Sequence, residues 1–101
     1  MNTLNFIFAL ALIGGATQAV ASEDLAKGKN CFGCHSVANK MVGPAFKEVA
    51  AKYKGDKKAA ATLAAKVKAG GVGAWGQIPM PPNNVSDAES KQLVNWILGL
   101  K

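Results

Sequence analysis

The stretch at residues 30–36, NCFGCHS, contains both cysteines and the only histidine of the 101-residue chain. Two thiols at this spacing, followed by an imidazole, are compatible with a redox dithiol, with part of a zinc site or with a haem attachment site. The remaining sequence must therefore discriminate between these three kinds of chemistry.

The amino-terminal residues have the features of an export signal. Residues 4–20, LNFIFALALIGGATQAV, are almost entirely apolar, and Ala19-Val20-Ala21 forms a small-x-small site at their end. We therefore expect a secretory signal peptide at residues 1–21, cleaved after Ala21, and a single domain at residues 22–101. Stable membrane insertion is not expected after cleavage. Gly14 and Gly15 also interrupt an apolar run shorter than the roughly 20 residues of a membrane span.

The charged residues favour acidic protein partners over nucleic acid. All twelve basic residues are lysines, and with six acidic residues they give a formal net charge of +6. Arginine, which makes bidentate contacts to phosphate and guanine, is absent. We therefore expect no nucleic-acid binding, and a lysine-rich surface that keeps a small protein soluble and steers acidic partners.

Apolar periodicity predicts an all-α domain of about four helices. Ser22 is positioned to cap a first helix at about residues 23–31, which leads directly into the cysteine motif. Pro44 suits the first turn of a second helix, and a third is predicted at about residues 57–69. The SDAE sequence at 86–89 has the pattern of a capping box that opens the last helix. The expected apolar faces of the last three helices are Phe46, Val49, Ala50 and Tyr53; Ala60, Leu63, Ala64 and Val67; and Leu93, Trp96, Ile97 and Leu100.

Residues 70–85, GGVGAWGQIPMPPNNV, form a connecting segment that cannot be a regular helix or strand. Four glycines and three prolines interrupt helix and strand alike. The same segment contains Trp75, Ile78 and Met80, large apolar side chains for which a solvated loop has little use. We therefore expect a functional loop that packs against another group.

Of the three chemistries, haem attachment accounts best for the cysteine motif. A redox C-x-x-C normally belongs to a βαβ unit, whereas this motif follows a predicted helix. Zinc needs about four ligands, and Cys31, Cys34 and His35 supply three at most. In C-x-x-C-H, the two thiols form thioethers with the porphyrin and the histidine can reach the iron.

Met80 is the candidate for a second iron ligand. It lies 45 residues after His35 and is held between Pro79 and Pro81, which restrict its backbone. Met41 is only six residues from His35, so we expect it in the core or on the surface. Gap filling is the alternative role for Met80, since methionine commonly fills gaps in apolar cores.

These motifs together resemble the small class I monohaem cytochromes c that serve as periplasmic electron carriers in denitrifying and ammonia-oxidising bacteria. The matching segments are CFGCH at 31–35, KMVGPAF at 40–46, GVGAWGQIPMPPN at 71–83 and the final helix from SDAE onward. They span nearly all of residues 22–101. The resemblance implies an all-α class I cytochrome c fold, with about four helices wrapped round one covalently attached haem and the first and last helices crossing.

The resemblance also implies roles for individual residues. Cys31 and Cys34 would carry the two thioethers of one haem c, and His35 and Met80 would be the axial ligands of its iron. The Pro44 carbonyl would accept a hydrogen bond from the other ring nitrogen of His35. Three further residues would support the site: Trp75 and Lys66 near the haem propionates, and Asn83 in the methionine loop.

The implied function is that of a monomeric periplasmic one-electron carrier and not of an enzyme. An iron with two protein ligands has no open position for a substrate, which leaves electron exchange with other proteins. Candidate partners are redox proteins with acidic docking surfaces, such as a nitrite reductase, a terminal oxidase, a peroxidase or a quinol-oxidising complex. The alternatives are a haem catalyst or gas sensor with an open sixth position, and an exported structural or metal-binding module without haem.

Overall fold

The computed structural model describes residues 14–101, with side chains from residue 19 onward, so residues 1–13 of the expected signal peptide lie outside it. The described residues form four helices, α1 at Gly14–Gly28, α2 at Phe46–Lys52, α3 at Ala59–Ala69 and α4 at Asp87–Leu98, and a short 3₁₀ turn at Cys31–Gly33. This confirms the all-α prediction. None of these helices is long and apolar enough to cross a membrane.

The first helix differs from its prediction at both ends. Helix α1 already includes Ser22, so Ser22 does not cap it in this chain. A helix that continues through Ser22 satisfies its backbone without a cap, and the buried hydroxyl instead accepts a hydrogen bond from Gln92 Nε2 of α4 at 3.3 Å. The helix ends at Gly28 rather than near residue 31, because Asn30 adopts a left-handed conformation with φ 62°. The predicted cleavage after Ala21 thus falls within α1 and stays a prediction.

Helices α2 and α3 begin slightly later than predicted. Pro44 precedes Ala45, the N-cap of α2, so it lies outside the first turn of the helix. Its carbonyl therefore stays available for a side-chain partner. Helix α3 begins at Ala59 because the backbone turns at Asp56, whose carboxylate accepts a hydrogen bond from the Lys58 N–H at 2.9 Å.

The start of α4 has the predicted capping box. The Glu89 N–H donates to Ser86 Oγ at 3.1 Å, and the Ser86 N–H donates to Glu89 Oε1 at 2.9 Å. Two backbone donors that the first helical turn leaves without partners are thereby satisfied.

Helix α4 lies at the centre of the packing and contacts α1, α2 and α3. Ser90 on α4 is buried, and its hydroxyl donates to the Ala64 carbonyl of α3 at 2.6 Å. The Phe46 ring packs edge-on against Phe32 and Trp96, with centroids 5.8 and 5.6 Å apart. Of the predicted apolar faces, Phe46, Val49, Ala50, Leu63, Ala64, Leu93 and Ile97 are buried, and Tyr53, Ala60, Val67, Trp96 and Leu100 are partly buried.

Candidate functional site

A cavity of about 540 Å³ lies between the 3₁₀ turn, helices α2, α3 and α4, and the loop that follows α3. Its volume is in the range of pockets that hold a small organic ligand. All eight residues singled out from the sequence line it: Cys31, Cys34, His35, Pro44, Lys66, Trp75, Met80 and Asn83. Residues more than 45 positions apart in the chain therefore share one pocket, whose inner wall is formed by apolar core residues.

The 3₁₀ turn brings the two thiols and the imidazole to the same cavity. The Cys34 and His35 N–H groups both donate to the Cys31 carbonyl, at 3.2 and 3.0 Å, which fixes the turn. Burial raises the pKa of the Cys31 thiol above its ordinary value. A redox-active cysteine needs the opposite shift, so this environment does not favour an activated dithiol.

Three neighbours fix the His35 ring. Its Nδ1 lies 2.7 Å from the Pro44 carbonyl oxygen, which can only accept a hydrogen bond, so the proton resides on Nδ1 and the lone pair of Nε2 is free. Phe46 stacks on the ring with centroids 4.9 Å apart. On a further side, a Cβ atom placed on Gly43 would lie only 2.5 Å from His35 Cε1. An imidazole held in this tautomer and orientation is suited to bind a metal through Nε2.

Backbone contacts hold Met80 at the cavity. Met80 and Gly71 form an antiparallel bridge, with N–H to carbonyl distances of 2.8 and 3.0 Å. Gly70 has φ 74°, and a Cβ atom there would lie 2.5 Å from the Met80 carbonyl oxygen. The chain can therefore approach itself this closely only with a glycine at position 70.

Asn83 ties the end of the same loop to α3. Its Nδ2 donates to the Val67 carbonyl at 2.9 Å and to the Pro81 carbonyl at 3.2 Å, and its N–H donates to the Lys68 carbonyl at 3.3 Å. One side chain thus bridges the carboxyl end of α3 and the segment that follows Met80.

The outer part of the cavity is apolar and basic. Trp75 and Ile78 are 39% and 68% exposed, so these loop residues are less covered by protein than large apolar side chains usually are. Met41 is 48% exposed and lines the same cavity, so of the two expected positions, core or surface, it lies at the surface. Lys66 lies among the lining residues with Lys29 and Lys40.

Sequence reasoning missed two contacts at this site. One is the close approach of Gly43 to the His35 ring, which the local sequence around Gly43 does not indicate. Lys52, at the end of α2, lies against the face of Trp75, with Nζ 4.5 Å from the ring centroid. A lysine on an exposed helix end gives no such signal in the sequence.

Comparison with known proteins identifies the group that such a pocket holds. Residues 19–101 match the family model for cytochrome c. The chain belongs to the cytochrome c family. This cytochrome c is 56% identical to cytochrome c-552 of Nitrosomonas europaea over 93% of its own length and 92% of the relative's. It is 62% identical to cytochrome c-551 of Azotobacter vinelandii over 75% and 93% of the two chains. The crystal structure of wild-type Nitrosomonas europaea cytochrome c552 superposes with a TM-score of 0.76 at 60% identity, covering 78% of this chain and 99% of that one.

The cytochrome is therefore a small class I monohaem cytochrome c with a covalently attached c-type haem, and it functions in electron transfer. The residues of the cavity fit this cofactor. Two thiols at C-x-x-C-H spacing, an imidazole with a free Nε2, a thioether and an apolar wall meet in one pocket of suitable volume.

Proposed function

We propose that the protein is a periplasmic one-electron carrier, and not an enzyme, whose haem iron is ligated by His35 and Met80. The observation that carries this proposal is the shared cavity, in which a tautomer-fixed imidazole and a backbone-clamped thioether meet the two cysteines. Cys31 and Cys34 would form the thioethers.

The haem supplies one-electron exchange between Fe(II) and Fe(III), and soft thioether ligation raises its reduction potential. The chain's own residues determine whether any other chemistry is possible. The Pro44 carbonyl accepts a hydrogen bond from His35 Nδ1 and so would hold the imidazole in the orientation that ligation through Nε2 requires. The bridge to Gly71 would hold Met80 at the iron and so would exclude small ligands from the position that it occupies. A site closed in this way favours electron transfer over catalysis or gas binding.

Three further cavity residues would stabilise the cofactor. Trp75 and Lys66 provide an indole N–H and an ammonium group at the cavity, which suit the propionate carboxylates of a haem. Asn83 binds the carbonyl that follows Met80 by one residue and so would maintain the loop geometry on which ligation depends.

Export is part of the same proposal. Residues 1–21 would be the signal peptide, cleaved after Ala21, and residues 22–101 the cytochrome c domain in the periplasm. All twelve lysines and all six acidic residues lie in that domain, so the exported protein would keep the formal net charge of +6. A monomer of this charge would meet redox partners through their acidic docking surfaces, as on a nitrite reductase, terminal oxidase, peroxidase or quinol-oxidising complex.

The ligation is tested by comparing Met80→Ala with Met41→Ala. Both methionines line the cavity, so the second variant controls for the loss of a thioether that is not a ligand. Met80→Ala is expected to abolish the near-red charge-transfer absorbance of the oxidised protein, to lower the reduction potential and to allow the reduced protein to bind CO. Met41→Ala is expected to change none of these. A Met80→Ala protein with the wild-type spectrum and potential would falsify ligation by Met80, and CO binding by the wild type would favour a catalyst or sensor.

A further inference from the structure

We propose that Lys52 is a positioning residue for the site, which holds Trp75 and the loop before Met80 against helix α2. Gly73 and Gly76 have φ values of 106° and 116°, which side-chain-bearing residues rarely adopt. Because glycine has no Cβ atom to restrict its dihedral angles, the backbone of this loop does not hold its own conformation. The Gly73 N–H donates to the Gly76 carbonyl at 3.0 Å, a bond within the loop that does not connect it to the helices.

Lys52 supplies that connection. Its Nζ donates to the Ala74 carbonyl at 3.0 Å. Within residues 14–101, this is the only hydrogen bond that joins residues 72–79 to another part of the chain. The same ammonium lies 4.5 Å from the Trp75 ring centroid and 5.6 Å from that of Tyr53. One cation therefore contacts a loop carbonyl and two aromatic faces.

The position of Lys52 in the fold makes this contact effective. Lys52 is the last residue of α2, where a cation also interacts favourably with the helix dipole. The first residue of α2 is Phe46, which stacks on the His35 ring. Helix α2 thus contacts the imidazole at one end and, through Lys52, the Trp75 segment at the other. Within residues 19–101, the side-chain ammonium of Lys52 contacts Ala74, Trp75 and Tyr53 and neither His35 nor Met80, so its effect on the site is indirect.

The inference rests on the proposed function only in that Met80 is taken as the iron ligand. The claim that Lys52 holds the loop is independent of that ligation. Loosening residues 72–79 would allow water into the cavity beside Trp75 and would stabilise the more highly charged oxidised state. Loss of Lys52 is therefore expected to lower the reduction potential, by more than the loss of one surface charge alone.

The test compares Lys52→Met, Lys52→Arg and Lys54→Met in the haem-containing protein. Methionine keeps much of the apolar length of lysine and removes the charge and the donor. Lys54→Met removes an equal charge from an exposed lysine two residues away, just beyond the end of α2. Arginine keeps the cation and can both donate to Ala74 and stack on an indole.

Amide hydrogen exchange of the reduced protein, measured by NMR, reports directly how readily the loop opens. Lys52→Met is expected to accelerate exchange at the Gly71, Gly73 and Met80 N–H groups on the order of tenfold, and to leave the amides of α4 unchanged. Lys54→Met is expected to exchange like the wild type, and Lys52→Arg to restore most of the protection. The reduction potential should fall further in Lys52→Met than in Lys54→Met.

Equal loop exchange and equal potentials in Lys52→Met and Lys54→Met would overturn the proposal. A Lys52→Arg protein as unprotected as Lys52→Met would also count against it, because the cation would then not be what holds the loop. The near-red absorbance band, recorded on the oxidised form of the same proteins, reports Met80 ligation separately. Its absence from the wild type would contradict the ligation and leave the exchange comparison to decide the role of Lys52.

Discussion

Replacing Gly43 with alanine tests how tightly the protein holds the His35 ring. A methyl group at this position would lie 2.5 Å from His35 Cε1, 2.8 Å from Nδ1 and 3.1 Å from Nε2. Ordinary contact begins at 3.4 Å, so the ring has to move by about 0.9 Å, the difference between 3.4 and 2.5 Å. Phe46 stacks on the same ring and limits where it can go.

The size of the effect follows from the contacts that such a movement disturbs. The 2.7 Å hydrogen bond to the Pro44 carbonyl would lengthen beyond good geometry, at a cost of about 0.5–1.5 kcal/mol. Overpacking at a rigid position adds about 1–3 kcal/mol. We therefore expect Gly43→Ala to lower the free energy of unfolding by about 1.5–4.5 kcal/mol. With His35 as the proposed iron ligand, a weaker hydrogen bond would make the imidazole a poorer electron donor to the iron, so the reduction potential should rise.

Guanidinium unfolding of the haem-containing protein measures this effect. Since the haem stays covalently attached in the unfolded chain, loss of the cofactor does not complicate the equilibrium. Gly28→Ala is the control, because nothing lies within 4 Å of a Cβ atom there. It should leave stability unchanged or raise it by up to about 1 kcal/mol, as alanine is the better helix former. A Gly43→Ala protein within about 0.5 kcal/mol of the wild type would refute the reasoning, since it would mean that the ring relaxes freely.

Further predictions concern a buried hydrogen bond in the core, the dependence of stability on pH and the lysine-rich surface. Ser90→Ala removes the buried hydrogen bond to the Ala64 carbonyl and should destabilise the protein by about 1 kcal/mol in urea unfolding; no change would mean that the bond contributes nothing. The hydrogen bond from Lys68 holds the pKa of Asp87 below its ordinary value. The stabilisation from this contact is present above the ordinary carboxyl pKa of about 4 and is lost as the pH falls through the lower pKa of Asp87 in the folded protein. The difference in stability between wild type and Asp87→Asn should therefore shrink in acid. A difference that is constant from neutral pH to acid would contradict it. Rates of electron transfer to an acidic partner should fall as ionic strength rises, and rates that do not depend on salt would exclude steering by the lysines.

Much of the fold could be predicted because several signals agreed. The capping box at Ser86 and the apolar faces of α2, α3 and α4 are local patterns, and the structure confirms them. The first helix could not be placed correctly in the same way. Ser22 is a good cap by composition, but the helix passes through it because the preceding residues remain helical and Gln92 binds the hydroxyl from α4. A contact 70 residues away along the chain is not visible in a local pattern.

The site could be predicted from the sequence where its residues carry reactive or metal-binding groups. The thiols, the imidazole and the methionine between two prolines could be named from sequence, and the structure gathers them at one cavity. The contact of Gly43 with His35 and that of Lys52 with Trp75 could not. Both depend on where helix α2 lies relative to a loop, and neither residue has a reactive group that would mark it.

We propose that two protein ligands leave the haem iron no open position for a substrate or a gas. An absorbance spectrum tests this most directly. Absorbance spectra of the purified haem-containing protein are recorded in its oxidised and reduced forms, with coverage extended into the near-red. The account predicts a c-type haem spectrum with a methionine charge-transfer band in the oxidised form, and no change in the reduced spectrum when CO is added. A protein that lacks the near-red band and binds CO rapidly would contradict it.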